Sequence, residues 1–346
     1  MNFSNLLIDW YLKNKRDLPW RQLKEPYAIW LSEIILQQTR VAQGWAYYEK
    51  VLNQFPSVFD LAAASEQDVI KCWQGLGYYS RARNLHKAAQ IIVKDYRGKM
   101  PNSYDALLQL PGIGDYTASA IASICFGHKT PVVDGNVYRF LGRFFGIQTP
   151  INSSKGIKEY KELAFALIDS KDPATFNQAI MEFGALQCKP QNPNCSVCPF
   201  QFKCVAFAEN TINSLPIKIN KTKIKTRHFN YLVFIGNASD TLLVRRTGKG
   251  IWQNLYEFPL LESDTLMSET ALKNHSNFPK WALHSHSEIS LYNETPIVHK
   301  LSHQHLITQF WIVSALDLPA SSIAIEKLEK YPVSALTARF LNDFHF

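Results

Sequence analysis

The chain has 346 residues, 46% hydrophobic and 19% charged, with a formal net charge of +8. That length exceeds one comfortable core and that balance is globular, so a disordered chain is excluded and two or three domains are expected. No apolar run is long enough to span a bilayer and Met1-Asn2-Phe3-Ser4 opens no signal-peptide pattern, which predicts a soluble cytoplasmic protein without a membrane partner.

In chain order, Asn5 to Leu12 starts an amphipathic helix that ends before Leu18-Pro19-Trp20-Arg21. Helices are predicted at roughly 26–38, 40–54, 58–63, 66–74, 80–97, 103–110, 116–127, 135–145, 154–169 and 173–187, each bounded by Pro, Gly, Ser or Asp. With no period-2 alternation before residue 228, residues 1–210 read as all-α. Composition then shifts. Residues 211–230 hold Lys218, Lys221, Lys223, Lys225 and Arg227 with no acid, and read as a basic connector, which taken alone is a solvated linker. Tyr231–Ile235 and Thr241–Val244 predict a strand pair turned at Gly236-Asn237, His299–Val313 predicts another long strand, and Pro332–Leu336 leads into a final helix. Residues 231–346 are therefore expected to form a separate α+β domain. Residues 1–210 carry 23 Lys+Arg against 18 Asp+Glu and residues 231–346 carry 9 against 11, so a polyanion would meet the first two thirds and the connector.

Leu110-Pro111-Gly112-Ile113-Gly114-Asp115-Tyr116 joins a short helix to a small-residue-rich one, a helix-hairpin-helix. Gly112 and Gly114 allow a tight turn and bring backbone amides to the second helix's N-terminus, which suits a phosphate. An ordinary helix–helix turn would use the same residues. Cys188-x6-Cys195-x2-Cys198-x5-Cys204 sets four thiols in seventeen residues. A four-cysteine zinc site usually presents two Cys-x2-Cys knuckles, and only one is here, so the spacing favours one [4Fe-4S] cluster over zinc, in a structural role. Cys72 and Cys125 read as buried hydrophobes.

Glu33 lies in the apolar stretch Ile29 to Leu36, where burial could hold a proton on it near neutral pH; taken alone, a glutamate on a wet helix face is the plainer reading. Asp134 sits where an N-cap belongs, and the same placement aims a carboxylate at a sugar whose phosphates the hairpin would hold. Gly75 to Leu85 combines glycines, tyrosines and arginines before a helix, as either core packing or a wedge into a base stack.

In their joint order these motifs resemble the MutY-type adenine DNA glycosylases of the helix-hairpin-helix and iron-sulfur superfamily. The match runs through Leu18-Pro19-Trp20-Arg21, Ser32-Glu33 to Thr39, Gly75 to Leu85, Leu110 to Thr117, Val132 to Val137, the cysteine loop and the tail. The resemblance implies a six-helix domain over about 22–130, an iron-sulfur domain from 1–21 and 131–210, and a Nudix-like tail over 231–346. It implies excision of adenine opposite 8-oxoguanine or G in double-stranded DNA, by a nucleoid-associated monomer that meets other replication and repair proteins. Glu33 corresponds to the acid that protonates adenine N7, Asp134 to the carboxylate that stabilises the sugar cation, and Asn136 to a supporting residue. Tyr116 stands where lyase relatives carry a Schiff-base lysine, and a phenol cannot form an imine, so strand scission is expected to be weak. Trp20, Arg21, Leu36 and Gln178 match the adenine pocket, Gln178 at a position that is acidic in some relatives. Gln38 and Tyr78 match residues that probe and wedge the 8-oxoguanine strand.

The tail's Ile251 to Pro259 matches the Nudix strand signature, while Leu260 to Asn274 lacks the glutamate-rich helix that holds magnesium. A reader of the damaged base is therefore expected rather than a nucleotide hydrolase. The relatives' Phe-Ser-His reading loop is here Leu301-Ser302-His303, so its aromatic is lost. A bifunctional glycosylase/lyase of the endonuclease III kind is opposed by Tyr116 and the tail, and a non-catalytic damage-binding protein by the presence of both Glu33 and Asp134.

Overall fold

Helix signals in the first two thirds act where the sequence places them. The computed structural model describes residues 2–21, 23–219, 224–283, 288–315 and 317–346; Met1 and the connector's Lys221 and Lys223 lie outside the described residues. Contacts divide the chain into two compact units, Met1–Ala63 with Asn84–Asn220, and Ala64–Arg83 with Lys221–Phe346.

The first unit contains α1 (Phe3–Asn14), α2 (Pro26–Leu36), α3 (Val41–Gln54), α4 (Val58–Ala63), and, after α5 (Glu66–Cys72) of the second unit, most of α6 (Ser80–Tyr96). There follow α7 (Tyr104–Leu108), α8 (Asp115–Phe126), α9 (Gly135–Phe145), α10 (Ser154–Leu167), α11 (Pro173–Leu186) and α12 (Val205–Ala208). Pro26 opens α2 at a position where a missing N–H costs nothing, and the Glu25 carboxylate accepts from Tyr27 N and Ala28 N. Tyr27 to Ile35 are all buried, so α2 is a central helix, apolar on every side. α8 buries Thr117 to Ser123, small side chains apart from Ile121 that let neighbouring helices approach, and stops at Gly127 with φ of 70°. Behind the α9–α11 contact an aromatic core joins Phe3, Phe140, Phe144, Phe183 and Phe200, with Phe140 and Phe183 ring centroids 4.4 Å apart.

In the second unit, β1 (Lys225–Gly236) pairs in parallel with β8 (Gln304–Ala315), from Lys225 opposite Gln304 to Gly236 opposite Ala315. Between them come β2 (Asp240–Thr241), β3 (Val244–Arg245), β4 (Tyr256–Glu257), β5 (Leu260–Ser263), α13 (Glu269–Lys273), β6 (Ile289–Leu291) and β7 (Ile297–Lys300); β9 (Ile323–Ala324) and α14 (Ala335–Asp343) end the chain. The order β6-β8-β1-β2-β9, with β5 also on β1 and β7 also on β8, makes a mixed sheet, and β3 pairs with β4 separately. β1 is buried without a break from Phe229 to Phe234, as a strand covered on both faces should be. Its alternation sorts the two cores: Phe229, Tyr231 and Val233 join Phe310 and Phe340, while Leu232 and Phe234 join Leu272, Trp311 and Val313.

Three strand expectations are corrected. Thr241–Val244 is not one strand, because Thr241 pairs with Ile323 and Val244 with Glu257 in another sheet. Ile251–Pro259 is mostly turn, since Trp252 and Asn254 have φ of 56° and 67°, and only Tyr256–Glu257 is extended. His299–Val313 is a hairpin rather than one strand. β7 and β8 are antiparallel, Leu301 N donates to Gln304 O at 2.8 Å, and the turn carries no Gly or Pro to interrupt the alternation.

Among the described residues no helix is long and apolar enough to cross a membrane. Phe340 is buried and stacks on Phe310 with centroids 4.2 Å apart. Phe340→Ala is expected to destabilise the second unit by about 3–5 kcal/mol, measurable as a shift in its denaturation midpoint.

Candidate active site

Glu33 is 7% exposed on α2, in a buried segment that is apolar from Ile29 to Ile35 apart from Ser32 and Glu33 itself. It shares an open cavity of about 610 Å³ with Leu36, Gln37, Gln38, Gly112, Gly114, Tyr116 and Asp134. Burial pushes the Glu33 carboxyl up to about 7; the Tyr116 phenol opposes this, the Asp134 charge adds to it, and Arg21 opposes it. The Tyr116 hydroxyl also donates to Met181 Sδ at 3.2 Å. One phenolic proton cannot serve both, and a carboxylate is the stronger acceptor, so ionisation of Glu33 draws it away from the sulfur. Burial, then Glu33 and Asp134, hold Tyr116 well above the ordinary phenol range, so it remains a donor.

Asp134 caps α9. Its Oδ1 accepts from Asn136 N and Val137 N, each at 2.9 Å, and its Oδ2 accepts from Asn136 Nδ2 at 2.7 Å. Burial raises this carboxyl, and those three donors hold the rise back. Asn136 Oδ1 in turn accepts from Arg139 Nη2 at 2.8 Å, and Arg139 Nε donates to Cys188 O at 2.7 Å. Gly112 lies at φ of 79°, and a Cβ there would stand 2.8 Å from Asn84 Cβ, so the hairpin turn needs glycine twice over. Gly114 is extended and would tolerate a side chain locally.

Trp20 is buried edge-on against Trp45 and Tyr48. Arg21 donates through Nε to Gln178 Oε1 at 3.2 Å and makes paired bonds of 2.9 and 2.7 Å to Glu182. Glu182 also receives Arg16 through Nε and Nη2 at 2.9 and 2.6 Å. Burial alone would raise the Glu182 carboxyl, but the two arginines hold it down near 2. Arg16, Glu182, Met181 and Arg139 escaped the sequence reading. The cue that singled out Glu33, a carboxylate in an apolar helix, applies equally to Glu182 in α11.

Tyr78, Ser302 and His303 belong to the second unit, where the Tyr78 hydroxyl and Ser302 Oγ lie 2.7 Å apart and His303 Nε2 is 3.2 Å from Gln304 Nε2. Leu301 packs against the sheet's aromatic core. Arg81 donates to Gly77 O at 3.2 Å and stands over the Trp73 and Tyr78 rings, fixing the glycine turn; burial lowers its guanidinium to about 10.

The four cysteines Cys188, Cys195, Cys198 and Cys204 line one cavity with Phe140, Phe144, Phe183, Phe200 and Arg143. Arg143 binds the carbonyls of Lys189 and Pro190 at 2.7 and 3.0 Å and approaches Cys188 Sγ at 3.6 Å, bracing the loop beside the sulfurs. The four sulfurs thus surround a common apolar cavity against the aromatic core of α9 and α11.

Residues 31–164 match the HhH-GPD superfamily base excision DNA repair protein model and residues 230–343 the NUDIX domain model. An adenine DNA glycosylase of Buchnera aphidicola from Schizaphis graminum is 35% identical over 302 residues, 87% of this chain and 84% of that one. The chain belongs to the adenine DNA glycosylase family. Among solved structures, a thermostable thymine-DNA glycosylase is 30% identical with a TM-score of 0.56, covering 60% of this chain and 95% of that one. An endonuclease III–DNA complex shares the fold at 21% identity and a TM-score of 0.53, over 60% and 94% of the two chains. The protein is thus an adenine DNA glycosylase of base excision repair, a hydrolase of N-glycosyl bonds whose substrate is DNA, with a helical glycosylase region and an α+β NUDIX domain.

The raised Glu33 carboxyl makes stability depend on pH with a defined sign. The folded state holds this proton more tightly than the unfolded one. Its stabilisation is therefore full below the unfolded value near 4.5 and is lost as pH rises through about 7. For this adenine glycosylase, Glu33→Gln is expected to remove a loss of about 3 kcal/mol between those values, measured by denaturant unfolding at pH 5 and pH 8.

Proposed function

We propose that the protein removes adenine mispaired with 8-oxoguanine or G, with Glu33 as the acid and Asp134 as the charge stabiliser. The observation that carries this reading is the cavity that Glu33, Tyr116 and Asp134 share with the hairpin glycines. The N-glycosidic bond is unreachable inside a stack, so the adenine nucleotide must be extruded, its phosphates meeting the hairpin amides at the N-terminus of α8. Protonated Glu33 gives its proton to the adenine ring nitrogen, and the C1′–N9 bond breaks with its electron pair leaving on the base. The sugar cation develops beside the Asp134 carboxylate, which its three donors keep aimed. Water then adds at C1′, and the Glu33 carboxylate accepts the proton that water releases. Leu36 and the Trp20–Arg21–Gln178 group would wall the adenine. No lysine lines the described cavity, which supports hydrolysis with little strand scission.

The reading assigns residues 1–210 to catalysis and 231–346 to recognition, with 211–230 as a connector whose end, from Lys225, is already drawn into β1 of the recognition sheet. Gln38 would probe the opposite strand, Tyr78 would wedge it, and Ser302 with His303 would read the altered base edge. Ser302 has a hydroxyl that can donate or accept, and its bond to Tyr78 supports joint action.

Duplexes carrying A opposite 8-oxoguanine, A opposite G, or an oxidised pyrimidine provide the test, with strand breaks scored before and after alkali. Alkali-dependent breaks on the adenine strand alone are expected, and Glu33→Gln should lower the rate by at least about 100-fold with DNA binding kept. Alkali-independent breaks at the pyrimidine would reject the assignment.

Cys188, Cys195, Cys198 and Cys204 would hold one [4Fe-4S] cluster, which when bound ties the loop after α11 to α9 and positions Arg139 through the Cys188 carbonyl. The purified protein is expected to show a broad visible absorption band with about four irons per chain. A colourless protein with one zinc would overturn this.

A further inference from the structure

Near its start, α3 carries a glycine where a helix is steadier without one. Gly44 is buried and its N–H donates to Arg40 O at 2.9 Å, so it belongs to the regular helical ladder, and its φ lies outside the left-handed region. Alanine would suit that backbone better than glycine does. What opposes a side chain is a neighbour on α2. A Cβ on Gly44 would stand 2.7 Å from Leu36 Cδ2, whereas Ile35 Cγ2 and Thr39 Cγ2, at 3.6 and 3.7 Å, would make ordinary contacts. The conflict is therefore with the tip of one side chain, and Leu36 borders the cavity that holds Glu33, Tyr116 and Asp134. Leu36 is half-buried at the end of α2, directly after the buried Ile34 and Ile35, so the space into which its tip can turn is that cavity. The same helix also fixes the other aromatic or aliphatic wall proposed for the base: Trp45 and Tyr48 hold Trp20 edge-on, with centroids 5.9 and 5.4 Å away. Trp20 is buried between them and cannot yield, which leaves Leu36 as the adjustable wall.

We propose that Gly44 is a positioning residue for excision, which sets how far Leu36 projects into the cavity and so how well the extruded adenine is seated. The inference rests on the reading that Leu36 walls the adenine, and deepens it, because none of the described residues lining that cavity comes from α3. A methyl group at position 44 would overfill the contact and turn Leu36 toward the base. The helix itself would gain from the same methyl group, so the effects on stability and on excision run in opposite directions. That opposition separates a positioning role from a merely structural one.

Single-turnover excision by the full chain in saturating excess over duplexes carrying A opposite 8-oxoguanine or A opposite G tests this. Gly44→Ala is expected to slow excision about tenfold, the scale of one overpacked methyl group. Its affinity for a duplex in which a tetrahydrofuran replaces the adenosine should stay that of the unsubstituted protein, because no base then meets Leu36, and its denaturation midpoint should be equal or higher. Leu36→Val removes the clashing methyl group. Alone it should slow excision by loosening the seat, yet added to Gly44→Ala it should speed excision, a reversal of sign that only a contact between the two residues produces. An unchanged rate in Gly44→Ala would overturn the inference. So would a slowed Gly44→Ala protein that also loses stability and affinity for the tetrahydrofuran duplex, or one that Leu36→Val slows further. Leu36→Ala keeps the underlying reading separate: if it excises at the unsubstituted rate, Leu36 is no wall and both ideas fail, whereas a slowed Leu36→Ala beside an unaffected Gly44→Ala rejects the role of Gly44 alone.

Discussion

A carboxyl kept dry inside an apolar helix sets the terms for the groups around it. Glu33 retains a proton near neutral pH because α2 is buried on every side, yet a carboxyl surrounded only by hydrocarbon would be inert. Tyr116 and the Arg21 charge pull its affinity for the proton down, and Asp134 pushes it back. The balance falls near the pH at which a proposed acid must both hold and release its proton. Each participant is itself fixed from behind: Asp134 by the first turn of α9, and Arg21 by Glu182.

The Arg16–Glu182–Arg21 group shows what that placement requires. Two guanidiniums share one fully buried carboxylate, so the group carries a net positive charge that extends toward Glu33. Replacing Glu182 by an apolar residue would leave both arginines without their acid, one of them in the interior, and such uncompensated burial is costly. The bonds to Glu182 therefore orient Arg21 as well as stabilising the chain. Arg139 has the matching position on the other side, with one end on Asn136 and the other on the carbonyl of Cys188. The cysteine loop thereby reaches the Asp134 carboxylate through three consecutive polar contacts, a physical basis by which the proposed cluster would matter to a site that it does not enter.

The helical region was legible in the sequence because its punctuation is local. Pro26, Pro173, Asp134, Gly127 and Gly146 start or stop helices by their own backbone preferences, and the helices fall close to where those residues put them. The tail was legible as α+β but not strand by strand. Alternation survives a turn made of Leu301, Ser302 and His303, so the pattern does not show where β7 ends and β8 begins. Apolar residues at Ile251 and Trp252 mimic a strand while their backbone is left-handed or turning. Of the site, residues embedded in motifs could be found. Glu182 carries the same cue as Glu33, a carboxylate in an apolar helix, but its role and that of Arg139 depend on partners 161 and 49 positions away, which no local pattern names. Nor does any local signal show that Ala64–Arg83 joins the unit formed by the tail.

That last assignment bears on how recognition could work. Tyr78 is separated from Ser302 by 224 positions, yet the two hydroxyl oxygens meet within one compact unit. The glycines at 75 and 77, with φ of 96° and 77°, let the chain present Tyr78, and Arg81 supplies the cation that keeps its ring in place. The proposed wedge is then not a separate tool of the helical region, since its tip is bonded to the turn proposed to read the damaged base. Inserting the tyrosine into a base stack must break or redirect the bond to Ser302, and a hydroxyl released there needs a new partner. An oxidised purine edge presents an N–H donor where an unoxidised edge presents the N7 acceptor, so the two would offer the released hydroxyl different partners. In the proposed reading, intercalation and lesion reading would then be coupled through the bond between Tyr78 and Ser302.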